Sequence, residues 1–267
     1  MRLFEKLPAR VLATRSVVRF NCGTDRNAVT PPTRITQTTW EPDVMQHARW
    51  KGHVAAFVCA MTSLLAHAAP GCNPPSIVRE GTPEEVRAFF KAKGMKVVTF
   101  LGYSGAGYEN EAAMLEQASR ILGEFDPKTT IVNIGATAEG IGVVYQIAKQ
   151  KGFVTSGIVS TQARENKVPL SPCVDMLFFV EDATWGGFLP GTDKLSPTSK
   201  AMVENSEVLV AIGGGEVARD ELTVAKRSGK RAEFIPADMN HQIARDKARK
   251  QGQPAPTDFR GAAALSL

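Results

Sequence analysis

Histidine is scarce in this 267-residue chain, limited to His47, His53, His67 and His241. Three of the four lie in the first 70 residues, so the rest of the sequence has His241 alone and cannot build a histidine-rich metal site. A Ser-His-Asp triad would have to use that one residue, and no Gly-x-Ser-x-Gly elbow occurs. Cys22, Cys59, Cys72 and Cys173 include no Cys-x-x-Cys pair, which removes thiolate zinc and dithiol redox motifs. A Gly-Lys-Ser/Thr phosphate loop is also missing. No apolar run reaches the roughly 20 residues that a membrane-spanning helix needs.

What charge there is sits at one end. The net charge is +5, and residues 1–51 hold nine Lys/Arg against four acids, which leaves 23 of each sign in residues 52–267. The main body is therefore neutral, and a phosphate-backbone stripe for nucleic acid is not expected. Arg49, Lys51 and His53 precede AAFVCAMTSLLAHAA (55–69), which ends small-x-small at Ala66, His67 and Ala68. This pattern reads as a Sec signal peptide over 45–69, with Met45 as a start and 1–44 an extension of doubtful translation. The expected compartment is then periplasmic or secreted. The alternatives are a buried helix of a cytoplasmic protein or a mitochondrial-type presequence. Cys72 and Cys173 would remain after cleavage; they could pair in an oxidising compartment, or Cys72 could be lipidated.

Residues 70–95 read as a linker, PGCNPPS, and a leading helix that starts at Thr82-Pro83-Glu84-Glu85 with an N-cap, an early proline and acids at the positive dipole end. Strands and helices alternate from there to Gly252. KVVTFLGY (96–103), TTIVNIG (129–135), GFVTSGIVS (152–160), DMLFFVED (175–182), EVLVAIGGG (207–215) and RAEFIPAD (231–238) read as strands buried on both faces. Alternation of this kind predicts a doubly wound α/β domain, Rossmann-like and three-layered, with a mostly parallel sheet over 96–252. The tail 253–267 reads as disordered.

Three strand ends carry glycine clusters. The first holds Gly105 and Gly107, the second Gly135, Glu139 and Gly140, the third Gly213, Gly214 and Gly215. Glycine lets backbone N–H groups approach a phosphate, and in such sheets ligands sit beyond the strands' carboxyl ends. The first cluster is not a dinucleotide fingerprint, because Asn110 stands where a third glycine is needed. Tyr108 and Trp185 could stack on a base, and the 182–196 loop could form a lid. Asp182 could face the ligand or cap the next turn. Glu139 could bind a ribose hydroxyl or be merely solvated.

NIGATAEGIGVVYQIAKQKG and EVLVAIGGGEVARDELTVAKRSGK resemble the superfamily that contains the Lonely Guy phosphoribohydrolases, molybdenum-cofactor carriers and DNA-processing Rossmannoids (SLOG-like), over about 96–238. Gly214, Gly215 and Glu221 align with the phosphoribohydrolase pattern. Val217 and Ala218 replace its Gly-Thr, Gly213 replaces its proline, and Ser199-Lys200 replaces its Arg-Lys. The resemblance implies a nucleotide or molybdopterin-like ligand and a homo-oligomer, with no cofactor required. The missing arginine makes binding of a small phosphorylated ligand the main expectation. The alternative is nucleoside 5′-monophosphate hydrolysis with Glu221 as the carboxylate and Lys200 as a substitute cation. Glu221 could equally be a solvated acid at a helix start, and a ligand-free interaction domain is a third possibility.

Overall fold

The computed structural model describes residues 72–266. The extension and the signal-like segment therefore lie outside the described residues.

β1 (Ile77–Gly81) leads into α1 (Pro83–Lys93), where the Thr82 hydroxyl accepts from the Glu85 N–H and the Glu85 carboxylate accepts from the Thr82 N–H. Next come β2 (Lys96–Gly102), α2 (Glu111–Leu122), β3 (Thr130–Ile134), α3 (Val144–Gln150) and β4 (Val154–Ser160). Then follow α4 (Gln162–Glu165), β5 (Met176–Val180), α5 (Pro197–Asn205), β6 (Val208–Ile212), α6 (Glu216–Arg227), β7 (Arg231–Ile235) and α7 (His241–Lys250). The seven strands form one parallel sheet in the order β1-β5-β4-β3-β2-β6-β7. This is the doubly wound, Rossmann-like, three-layer domain that the alternating pattern predicts.

β3 and β5 are buried along their whole length, as parallel strands covered on both faces must be. α2 and α3 pack Met114, Ala118, Ile121 and Ala148 on one face of the sheet. α1, α5 and α6 pack Phe90, Met202, Leu222 and Ala225 on the other. The helix after β2 and the helix after β6 thus leave neighbouring strands toward opposite faces. That divergence is the switch point where such sheets open a crevice.

Two segments differ from the sequence expectation. Residues 77–81, read as linker, form an edge strand in register with β5 from Ile77–Met176 to Gly81–Val180. Its residues alternate too little apolar character to show as a strand, and its partner is a distant segment. The tail read as disordered is folded: Ala263 is fully buried and its N–H donates to the Gly214 carbonyl at 3.0 Å. The Tyr103 hydroxyl donates to the Arg260 carbonyl at 2.6 Å, and the Met239 N–H donates to the Phe259 carbonyl at 2.9 Å. Small side chains and backbone bonds hold this segment, and composition registers neither.

Cys72 and Cys173 form a disulfide that closes a span of 101 residues and ties the start of β1 to the approach to β5. Lipidation of Cys72 is incompatible with that bond. Replacing both cysteines by serine is expected to lower the unfolding free energy by about 2–4 kcal/mol, with the secondary structure kept. Urea unfolding followed by circular dichroism checks this against the oxidised parent.

Candidate functional site

A cavity of about 310 Å3 opens at the carboxyl ends of β2, β3 and β4. Its floor is apolar, from Phe100, Leu101, Ile134, Ile158 and Met202. Val217 and Ala218 of α6 form one wall, and Trp185, about half exposed, stands at the rim. Polar groups are few: Ser104, Thr137, Ser160 and Thr198 reach the cavity, with Glu221 as its one ionisable lining residue. Among the described residues, lysine, arginine and histidine are missing from the lining. Clefts of this size and character suit a small, largely apolar or heteroaromatic group fixed by a few polar contacts.

Glu221 lies on the second turn of α6 and is buried. Its Oε1 accepts from the Ser199 hydroxyl at 2.6 Å, and that hydroxyl accepts from the Gly187 N–H at 2.7 Å. Burial pushes the Glu221 carboxyl up to about 8; the Ser199 hydrogen bond opposes this and the Asp220 charge adds to it. Its neighbour Asp220 accepts from the Phe188 N–H at 2.8 Å and pairs with Arg219. Two adjacent acids of α6 therefore hold the middle of the 182–196 loop, which places Trp185 at the rim.

Asp182 takes the capping role rather than the ligand-facing one. One oxygen accepts from the backbone and the hydroxyl of Thr184, the other from the Thr198 N–H at 2.9 Å. Burial alone would raise its pKa, but the Thr198 and Thr184 donors outweigh it and the group lies below the ordinary aspartate value. The Thr198 side chain lines the cavity, and its buried hydroxyl has no hydrogen-bond partner among the described residues.

The candidate residues are divided by the fold. Glu221 and Gly135 line the cavity. Lys200, one position after Ser199, lies outside the lining, and its ammonium pairs with Glu84 at 2.5 Å on the surface. Helix geometry turns it away from the face that carries Ser199, so in this structure it does not face the cavity. Tyr108 is no stacking platform either: it is buried and its hydroxyl donates to the Ile212 carbonyl at 2.8 Å.

The other glycines mainly let the chain approach itself. A Cβ at Gly140, whose φ is +59°, would overlap the Tyr103 and Ser104 carbonyl oxygens. At Gly213 it would strike the Tyr103 ring, and at Gly214 the Ala218 Cβ. Gly107 faces Asn240 and Ile243 of α7, while Gly105 faces the exposed Glu139. Sequence gives Ser199 no role beyond standing at the position aligned with the missing arginine, and it gives Thr198 none.

No protein-family model matches the chain, and no curated protein does. Solved structures similar to it include the molybdenum cofactor carrier protein of Chlamydomonas reinhardtii, at 18% identity and TM-score 0.39, over 52% of this chain and 76% of that one. The molybdenum cofactor binding protein of the phototrophic bacterium Rippkaea orientalis matches at 17% identity and TM-score 0.38, over the same shares of the two chains. A protein designated TM1055 matches at 22% identity and TM-score 0.37, over 52% of this chain and 72% of that one.

The raised pKa of Glu221 has a sign in stability. From its ordinary 4.5 up to about 8, the folded chain keeps a proton that the unfolded chain has released. Its contribution is complete below the lower value and is lost as pH rises to the upper one. The Glu221→Gln variant is expected to lack this fall, a difference on the order of a few kcal/mol across the window. Denaturant unfolding of both proteins at a series of pH values measures it.

Proposed function

We propose that the chain is a binding protein for a nucleotide or a related phosphorylated heterocycle, molybdopterin-like ligands included. The observation that carries this reading is the apolar cavity at the switch point, with an aromatic rim and a single acid inside. A flat ring fits between the apolar floor and Trp185, whose indole offers a stacking face. α6 begins without a side-chain cap, and its first residues form the cavity wall. Its free N–H groups and dipole would favour the phosphate end of the ligand.

Hydrolysis of the N-glycoside is the weaker reading. It calls for an ionised carboxylate and a cation beside the ribosyl phosphate. Here burial favours the neutral form of Glu221, and the lining has no cation. The Cys72–Cys173 bond supports an oxidising compartment, in keeping with the signal-like segment. Among the described residues no helix is long and apolar enough to cross a membrane.

Adenosine 5′-monophosphate is expected to bind saturably in calorimetry with no adenine released on prolonged incubation. Trp185→Ala is expected to weaken binding about tenfold, the worth of one base–aromatic stack. Lys200→Ala is expected to change nothing. Release of adenine that depends on Lys200 would reverse the assignment.

A further inference from the structure

Glu221 has one carboxyl oxygen committed and one open. The Ser199 hydroxyl accepts from Gly187, so its single hydrogen is left for Glu221 Oε1. Oε2 has no partner among the described residues, and the side chain lines the cavity. Thr198, which also lines the cavity, has a buried hydroxyl with no partner among the described residues. A buried hydroxyl without a partner is costly unless something bound there completes it. Ser199 orients the acid, and Thr198, the residue before it on α5, lines the same cavity.

The charges around this corner decide the state of the acid. On α6, Asp220 is occupied by Arg219 and by the Phe188 N–H. On the loop, Asp182 is capped by Thr184 and Thr198. On α5, Lys200 is drawn off to Glu84, and Glu204 lies near Arg87 at 3.7 Å. The strand residues that line the cavity carry no charge. An ionised Glu221 would therefore have an apolar floor below it and, among the described residues, no free cation facing it, which favours the neutral acid.

We propose that Glu221 works as a neutral acid whose Oε2–H, with the Thr198 hydroxyl, reads an uncharged hydrogen-bond acceptor on the inner edge of a planar heterocycle. This rests on the nucleotide reading above and gives the pocket its specificity. The inner edge must present a ring nitrogen or carbonyl oxygen, and an anionic edge is disfavoured for want of a cation. The phosphate end lies away from Glu221, toward the start of α6. Glu221 is on this view a specificity-determining residue, and Ser199 a positioning residue that fixes which oxygen carries the proton.

Adenosine 5′-monophosphate is the probe, because its ring and phosphate keep their charge between about pH 7 and pH 9.5. The wild-type affinity is expected to fall about tenfold or more across that range. Glu221→Gln, whose amide still accepts from Ser199 and donates into the cavity, is expected to bind within about threefold of wild type at pH 7 and to show no pH dependence. Thr198→Val is expected to weaken binding about fivefold to tenfold and to keep the pH profile. A flat or rising wild-type profile overturns the proposal. So does a tenfold loss at pH 7 in a Glu221→Gln variant whose circular dichroism is native. If that variant does not fold, the wild-type profile and Thr198→Val decide. Saturable binding with the wrong profile sinks this inference alone, whereas no binding by the wild-type protein at any pH removes the nucleotide reading and this one with it.

Discussion

The carboxyl edge of the sheet is held by tyrosine hydroxyls, and the site depends on that arrangement. The chain has three tyrosines, all buried, and the hydroxyl of each meets a backbone carbonyl at or just past a strand end. Tyr108 donates to the last carbonyl of β6 and accepts from the Tyr103 N–H, which joins the ends of β2 and β6 where the crevice opens. The Tyr145 hydroxyl sits 2.7 Å from the Ser156 carbonyl and 2.9 Å from that of Ile134, and accepts from the Ala136 N–H. It thereby fixes the turn after β3 that brings Gly135 to the cavity. Where parallel strands stop, their last backbone groups need partners other than the next strand, and buried hydroxyls supply them here.

This explains why glycine is required where it is. At Gly102 a Cβ would overlap the Tyr108 hydroxyl, and at Gly157 it would crowd Ala136. Ala136 itself adopts a φ of +57°, which the Tyr145 hydrogen bond and the tight approach of β4 compensate. The third cluster is shaped by Tyr103, whose ring lies against Gly213 and whose hydroxyl holds the 259–263 segment over Gly214. The glycine turns are thus first a means of fitting backbone to backbone, and the ligand space is what remains between them. That space falls at the ends of β2 to β4 and the start of α6, beside the third turn rather than on it.

The layering and the position of the crevice were legible because they depend on local periodicity and on the order of elements. All six strands expected from 96 onward are present, and so is the capping box at Thr82 and Glu85. The parts that sequence misplaced depend on contacts made far along the chain. β1 is a strand because β5, about 100 residues away, offers it a ladder. The tail is ordered because the Gly214 carbonyl, the Met239 N–H, the Tyr103 hydroxyl and a small-residue surface on α6 receive it. Lys200 was placed beside Glu221 by alignment with a pair of residues, yet one step along a helix turns a side chain by about 100°. Ser199 is the residue of that pair that reaches the acid.

The serine at position 199 decides what the acid can do. An arginine there would hold Glu221 ionised and present a cation to the ligand, as charge-assisted pairs do. Serine supplies one hydrogen bond and no charge, so burial governs and the carboxyl stays protonated to about pH 8. The same hydroxyl spends its acceptor capacity on Gly187, which seats the loop that carries Trp185. One small side chain thus couples the protonation of the acid to the placement of the aromatic rim. The acid therefore sits beside an apolar floor, with no lysine, arginine or histidine among the described lining residues.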